Sequence, residues 1–530
     1  MKMKYALMLF TASTIALGAC KKSSTQPTPT PTPVTPVTPT NATRQQLTLD
    51  SIFLYAKEIY YWNDKLPTYE VFNPRQYTTG SSDVANYNAA LLNVAKYSNP
   101  YEWTTGATSP KFSYIFDKTN KNPTAVINPV SSVDLEGNGN DLGIRFGLYG
   151  STNDYVIYVT AVYQNSPAEK LGFVRGDVVK KINGVSYGTN YNAEVTPLNN
   201  ALNGTSIVLE GFKSDGVTPY NLTVTKAVFK SNPIYKTRVI TAGAKKIGYL
   251  AYARFSNADN SNAALESAFA SFATSGVTDL VIDLRYNGGG YVSTAENLIN
   301  LIAPSTVSGV MFSEYFNATM QAGNARILAN QPLLDGAGKI RYGSNGAMLT
   351  YANVNYSVAG NTTSFAKKGT LGSVQNIVFI VSGSTASASE LVINSLKPHM
   401  NVKLVGRTSY GKPIGFFPVT LENKYDVYFS LFETKNSAGQ GGYYSGMVPD
   451  FDLPEVPSGT VMYDFGNVND NYLKQAIAVL APGATVTNER SVQSTKVSAV
   501  NSVSSSNMIN AEFADKEFKG MVENRFKLKN

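Results

Sequence analysis

Apolar and polar positions follow two rhythms along this chain, and the switches between them mark its elements. Leu47, Ile52, Tyr55 and Ile59 recur at helical spacing, and Ala89 to Ala95 repeats the pattern, so residues 44–126 read as a small helical N-terminal subdomain. Tyr155 to Val159, Lys246 to Tyr252, Leu280 to Arg285, Ile377 to Val381 and Val402 to Val405 are runs short enough to be strands. Helical patterns lie among them at Asn262 to Ala273 and at Ala388 to Leu396, the second stopped by Pro398. Tyr425 to Phe432 alternates like a strand, and Asp470 to Leu480 reads as a closing helix. Strands alternating with helices predict an α/β core over residues 231–481. Its middle, about 304–372, is rich in Gly, Asn and Tyr, and reads as strands and long loops bordering a cleft. Residues 482–530 are polar and read as an appended or loosely packed tail.

Composition narrows the function. The 530 residues are 43% apolar with 33 Tyr and 25 Phe, enough to bury two or three cores. A formal charge of +8 without a basic cluster argues against a nucleic-acid partner. One histidine, His399, rules out every site that needs two, and no other metal set or cofactor is indicated. A Ser-His-Asp triad would have to use His399, which lies beyond the helix-breaking Pro398. One cysteine, Cys20, precludes an intramolecular disulfide.

The first residues read as a targeting segment. Lys2 and Lys4 precede an apolar run from Tyr5 to Ala19, closing on Leu17-Gly18-Ala19-Cys20. That ending resembles a bacterial lipobox, which implies a signal peptide over 1–19 and a lipid on Cys20. Residues 20–43 alternate Pro and Thr and read as an extended tether. No later run reaches the roughly 18 apolar residues that a spanning helix needs. The expectation is a membrane lipoprotein of the cell envelope, facing the periplasm or the cell surface.

Chemistry concentrates between Val381 and Phe416. A strand leads through a Gly/Ser/Thr loop to a helix starting just after Ser387, and a second strand delivers Lys412. A helix of nine or ten residues climbs about 15 Å, and the returning strand and loop cover a similar distance. Lys412 is therefore expected beside Ser387. A serine next to a dehydrated, neutral lysine is a nucleophile–base pair. On spacing alone a plainer reading is favoured, a helix-capping turn with a surface lysine 25 positions later.

Motifs change that balance. Thr385-Ala386-Ser387-Ala388-Ser389-Glu390 with Thr408-Ser409-Tyr410-Gly411-Lys412, and upstream Ile282-Asp283-Leu284-Arg285-Tyr286-Asn287-Gly288-Gly289-Gly290, resemble the carboxy-terminal processing (tail-specific) serine peptidases. Gly441 to Asp450 resembles that family's later segment. The resemblance implies a crotonase-like core, Ser387 as nucleophile and Lys412 as base. It further implies oxyanion donors at Ala388 and at Gly289 or Gly290, with Glu390 in support. Phe416 stands where many members carry a glutamine, which leaves the lysine's partner open. Asp283 and Arg285 read as organisers of the glycine loop.

Residues 127–230 resemble a bacterial PDZ domain through Ser166-Pro167-Ala168, Gly176-Asp177 and Ile182-Asn183-Gly184. Gly143, Ile144, Arg145 and Phe146 then stand where such domains receive a peptide C-terminus. Three weaker patterns were set aside. Asn287 to Gly290 lacks the lysine of a phosphate loop. Ser364-Phe365-Ala366-Lys367 lacks the companion motifs of penicillin-recognising enzymes. Asp450 with Asp452 lacks a third metal ligand. The expectation is a lipid-anchored serine endopeptidase acting on protein or peptide substrates through a Ser/Lys dyad. Its rivals are a non-catalytic PDZ-containing binding protein and a serine esterase or amidase.

Overall fold

The computed structural model describes residues 42–119, 133–336, 338–457, 459–486, 508–512 and 520–529. The leader, Cys20 and almost all of the tether lie outside the described residues, as do 120–132 at the expected subdomain boundary. Among the described residues no helix is long and apolar enough to cross a membrane.

Helix α1 (Arg44–Ile59) starts where Thr43 and Gln46 cap each other, side chain to backbone in both directions. Its buried stripe is Leu49, Ile52, Phe53, Ala56 and Ile59, whereas Leu47, assigned to that face by spacing, is 40% exposed. Helix α2 (Asp83–Lys96) packs against it through Tyr87, Ala90, Leu91 and Val94. Strand β1 (Tyr114–Asp117) pairs antiparallel with Tyr425–Tyr428, far along the chain. These N-terminal residues share one hydrophobic core with the strand–helix region, so they do not pack as a separate body.

A β-rich unit with its own core follows. Strands β2 (Ile144–Ser151), β3 (Asp154–Val162), β4 (Val178–Ile182), β5 (Ser206–Phe212) and β6 (Pro219–Thr225) form an antiparallel sheet in that order. Ser166 caps a short helix begun by Pro167, accepting the Glu169 N–H at 3.2 Å.

The main sheet runs β7 (Ile234–Ala242), β8 (Lys245–Tyr252), β9 (Asp279–Asp283), β11 (Asn376–Val381), β12 (Asn401–Gly406), β13 (Phe451–Asp452). Only β7 is antiparallel to its neighbour. Helix α3 (Ala258–Thr274) joins β8 to β9. A short strand β10 (Gly289–Tyr291) and helix α4 (Val292–Ile302) follow β9, and α5 (Ala388–Leu396) joins β11 to β12. The strands bury both faces, as parallel sheets do. Leu280, Ile282, Ile377 and Phe379 face α3, α4 and α5, while Val281, Val378 and Ile380 face α6 (Asn471–Leu480) on the other side. The parallel register brings the C-terminal ends of β9, β11 and β12 to one edge, with Asp283 opposite Ile380 and Val381 opposite Gly406. The loops leaving those three ends carry the candidate chemistry, at the edge where open α/β sheets place ligands.

The tail departs from expectation. Strand β14 (Met508–Glu512) pairs antiparallel along β2, and β15 (Gly520–Val522) pairs parallel with β10. Met521 is fully buried, and Phe526 packs on Tyr351 and Phe417. Polar composition concealed these contacts because most are made by backbone, which any residue supplies.

Candidate active site

Ser387 sits between the loop leaving β11 and the first turn of α5, with φ 61° and ψ −109°. A side chain in this region costs of order 1–3 kcal/mol and persists only where the surroundings enforce it. The enforcement comes from the neighbouring loop: Ala386 N–H donates to Asn287 O (3.1 Å), Ser389 Oγ to the same oxygen (3.0 Å), and Thr385 Oγ1 to Leu284 O (2.8 Å). The serine is fully buried, and its Oγ has no hydrogen-bond partner among the described residues.

One carboxylate joins this turn to the lysine loop. Glu390 Oε2 accepts the N–H groups of both Ser387 and Lys412, each at 2.8 Å, so those two nitrogens cannot be farther apart than twice that length. Its Oε1 accepts Gly411 N–H (2.7 Å) and Ser409 Oγ (2.5 Å). Gly411 has φ +83°, and a Cβ there would fall 2.4 Å from Gly446 N and 2.5 Å from Tyr444 O, so the lysine loop turns only with glycine. Burial raises the Glu390 carboxyl above its ordinary value, and the four hydrogen bonds oppose that rise.

Lys412 is 1% exposed. Its Nζ lies 3.4 Å from Phe112 O and 4.3 Å from the centroid of the Phe416 ring. The aromatic face at the family's glutamine position thus gives the ammonium a cation–π contact. The hydroxyl and the amine stand on adjoining backbones without a hydrogen bond between them, as is common before substrate tightens a site.

The three predicted oxyanion donors differ. Ala388 N–H makes no hydrogen bond among the described residues. Gly289 lies against it, since a Cβ at Gly289 would be 3.0 Å from Ala388 N. Gly289 N–H, however, is turned onto Asn287 Oδ1 at 2.9 Å and is not free. Phe255 N–H donates to Gly289 O and Tyr291 N–H to Phe255 O, so Gly290 directs its own N–H to the opposite side, toward β15. The free pair of donors for a developing oxyanion is therefore Ala388 and, once β15 is absent, Gly290.

Behind the glycine loop lies a buried ionic cluster. Arg285 pairs with Asp283 (2.7 Å), Asp470 (2.8 Å) and Glu455 (3.1 Å). Arg175, from the β-rich unit, reaches Glu455 at 2.7 Å and the Tyr286 hydroxyl at 2.8 Å. Burial pushes the Glu455 carboxyl up, but Arg175 and Arg285 together with the Tyr286 and Tyr149 hydroxyls outweigh it and hold it at about 2. Gly143, Ile144, Arg145 and Phe146 are all buried, and Arg145 lies over the Tyr286 ring at 4.7 Å. That predicted carboxylate site is thus packed toward the glycine loop.

The set-aside candidates are accounted for. Lys367 Nζ donates to Leu301 O and Leu371 O, and burial brings it down to about 8, so a displaced lysine here serves as a backbone tie. His399 Nε2 meets Ser437 Oγ at 3.0 Å beyond α5. Asp450 pairs with Lys403, and no cluster able to hold a metal occurs among the described residues. Residues that sequence reasoning passed over are Asn287, which orders both catalytic loops, and Ser409, which bridges Glu390 to Met447 N–H. Asn287 stood inside the motif, but its carbonyl, the part that matters most, has no sequence signal.

Residues 246–453 match the family model described as peptidase family S41. The chain carries a serine peptidase domain of family S41. A C-terminal processing peptidase of the chloroplast of Tetradesmus obliquus is 26% identical over 318 residues, 58% of either chain. The carboxy-terminal processing protease CtpA of Bacillus subtilis is 25% identical over 267 residues, 50% of this chain and 46% of its own. The matched region thus spans about half the length of these curated relatives. Among solved structures, a putative S41 protease from Bacteroides fragilis superposes with a TM-score of 0.54 at 21% identity, covering 82% of this chain and 96% of the other. The S41 domain includes Ser387, Lys412, Glu390 and the glycine loop, but neither the N-terminal helices nor β14 and β15.

Proposed function

We propose that this protein is a serine endopeptidase that cleaves peptide bonds through Ser387 and Lys412. The observation carrying the proposal is the single Glu390 oxygen that takes both the Ser387 and the Lys412 N–H groups. Neutral Lys412 removes the Ser387 proton as Oγ attacks a peptide carbonyl, and the Ala388 and Gly290 N–H groups receive the oxyanion. Collapse breaks the C–N bond, Lys412 returns the proton to the leaving amine, and an ester on Ser387 remains. Water, deprotonated by Lys412, hydrolyses that ester and regenerates the serine. Dehydration of Lys412 favours its neutral form, while the Phe416 ring favours the charged form that follows each transfer.

Residues 127–230 serve in this reading as a PDZ domain that recruits or gates substrates by their C-termini, consistent with the processing of C-termini named for the relatives. The Leu17-Gly18-Ala19-Cys20 ending supports lipid anchoring at Cys20, with the catalytic unit facing the periplasm or cell surface. Digestion of an unfolded protein such as casein tests the core of the proposal. Ser387→Ala should abolish cleavage with an unchanged melting temperature; cleavage that survives Ser387→Ala would refute it.

A further inference from the structure

Residues 520–523 lie as a strand between the two catalytic loops. On one side Gly520 N–H donates to Gly288 O (3.0 Å), and Gly290 directs its N–H back toward the strand. On the other side Phe416 N–H donates to Met521 O (3.0 Å), and Glu523 N–H donates to Phe416 O (3.2 Å). The Gly520 carbonyl oxygen would be 2.4 Å from a Cβ at Gly289, the same point that lies 3.0 Å from Ala388 N. The Met521 side chain is wholly buried in the core shared with the catalytic loops. Backbone on both flanks, one enclosed apolar side chain and a carbonyl beside the oxyanion donors are the features that a bound peptide substrate requires.

We infer that the slot between Gly288–Tyr291 and Phe416 is the binding track for an extended peptide substrate, and that residues 520–523 are an internal ligand which substrate must displace. The inference rests on the peptidase reading and deepens it. It assigns Phe416 a second task, since its backbone N–H and C=O hold the substrate strand while its ring faces Lys412. It assigns the track a preference for an unbranched apolar side chain at the position Met521 fills. An independent feature agrees: β14 lies antiparallel along β2, the strand containing the loop expected to receive peptide C-termini. The same tail therefore covers both peptide-binding edges. Being part of the chain, it competes at a high effective concentration, and a substrate must exceed it in contacts.

The test uses the full chain, a peptidyl phosphonate that reacts with an activated serine, and hydrogen exchange of backbone amides. Met521→Asp places a charge in an enclosed apolar site, which releases the strand, and should speed labelling of Ser387 about tenfold or more. A synthetic peptide of residues 520–529 should slow the variant back toward the wild-type rate. If Met521→Asp does not fold, the wild type alone decides: once Ser387 is labelled, the Gly520 and Glu523 amides should lose protection while those of β9 keep theirs. Equal labelling rates for folded variant and wild type, or unchanged protection of Gly520 and Glu523 after labelling, would overturn the inference and leave the peptidase reading standing. Failure of Ser387 to label in either protein would instead remove the peptidase reading, and this inference with it.

Discussion

Glu390 decides the geometry at the scale of single residues. Its four hydrogen bonds come from three N–H groups and one hydroxyl, all donors, so a carboxylate fits and an amide does not. Glu390→Gln turns an NH2 toward at least one of those donors. Each charged, buried hydrogen bond lost costs about 1.5–3 kcal/mol, so kcat should fall about 10²-fold with little change in KM, measured by peptide hydrolysis. Lys367 is the control. Its depressed lysine invites a catalytic reading, but both its partners are carbonyls and Ser364 is exposed. Lys367→Met should cost stability in a thermal melt and leave kcat unchanged per folded molecule. The serine, the lysine and the glycine loop were legible because their chemistry requires those residue types in order. The Asn287 carbonyl and the Phe416 backbone were not, since any residue carries them.

At the scale of elements, the short apolar strands and the helix before Pro398 could be read from the sequence because burial on two faces leaves no polar position in β9 or β11 between Leu280 and Ile282 or Ile377 and Val381. The tail strand could not, because its pairing depends on backbone partners over 200 residues away. It carries a charge device of its own. Glu314 is pushed well up by burial, with the neighbouring Glu523 adding to the rise, while Arg525 and Lys527 oppose it; Glu523 is likewise raised by burial, against Arg525. Carboxyls raised on docking stabilise the docked tail below their free values, and that stabilisation is lost as pH rises through the docked ones. Glu523→Gln cannot ionise, so at pH 8 its tail should hold more firmly and Ser387 should label more slowly than in wild type, by a factor that shrinks toward pH 5.

At the scale of the whole molecule, the buried cluster of Arg175, Arg285, Glu455 and Asp470 ties the β-rich unit to the strand ends that carry the glycine loop. Removing one partner from such a cluster leaves charge unpaired in the interior, so Arg175→Met should destabilise by about 3 kcal/mol in urea unfolding. Glu455 sits at about 2 when folded against an ordinary 4.5. Its contribution is therefore present above about pH 4.5 and lost as pH falls through about 2. Glu455→Gln should flatten the pH dependence of unfolding within that window. The division into a β-rich unit and a strand–helix core was legible from local motifs. The fusion of the N-terminal helices with that core was not, because Leu49, Ile52 and Phe53 could have faced any apolar surface. The central claim is that Lys412 activates Ser387, and phosphonate labelling followed by peptide mapping tests it most directly. The account predicts an adduct on Ser387 in the wild type and labelling at least about 10²-fold slower in Lys412→Met; an adduct on another serine, or equal labelling of the two proteins, would contradict it.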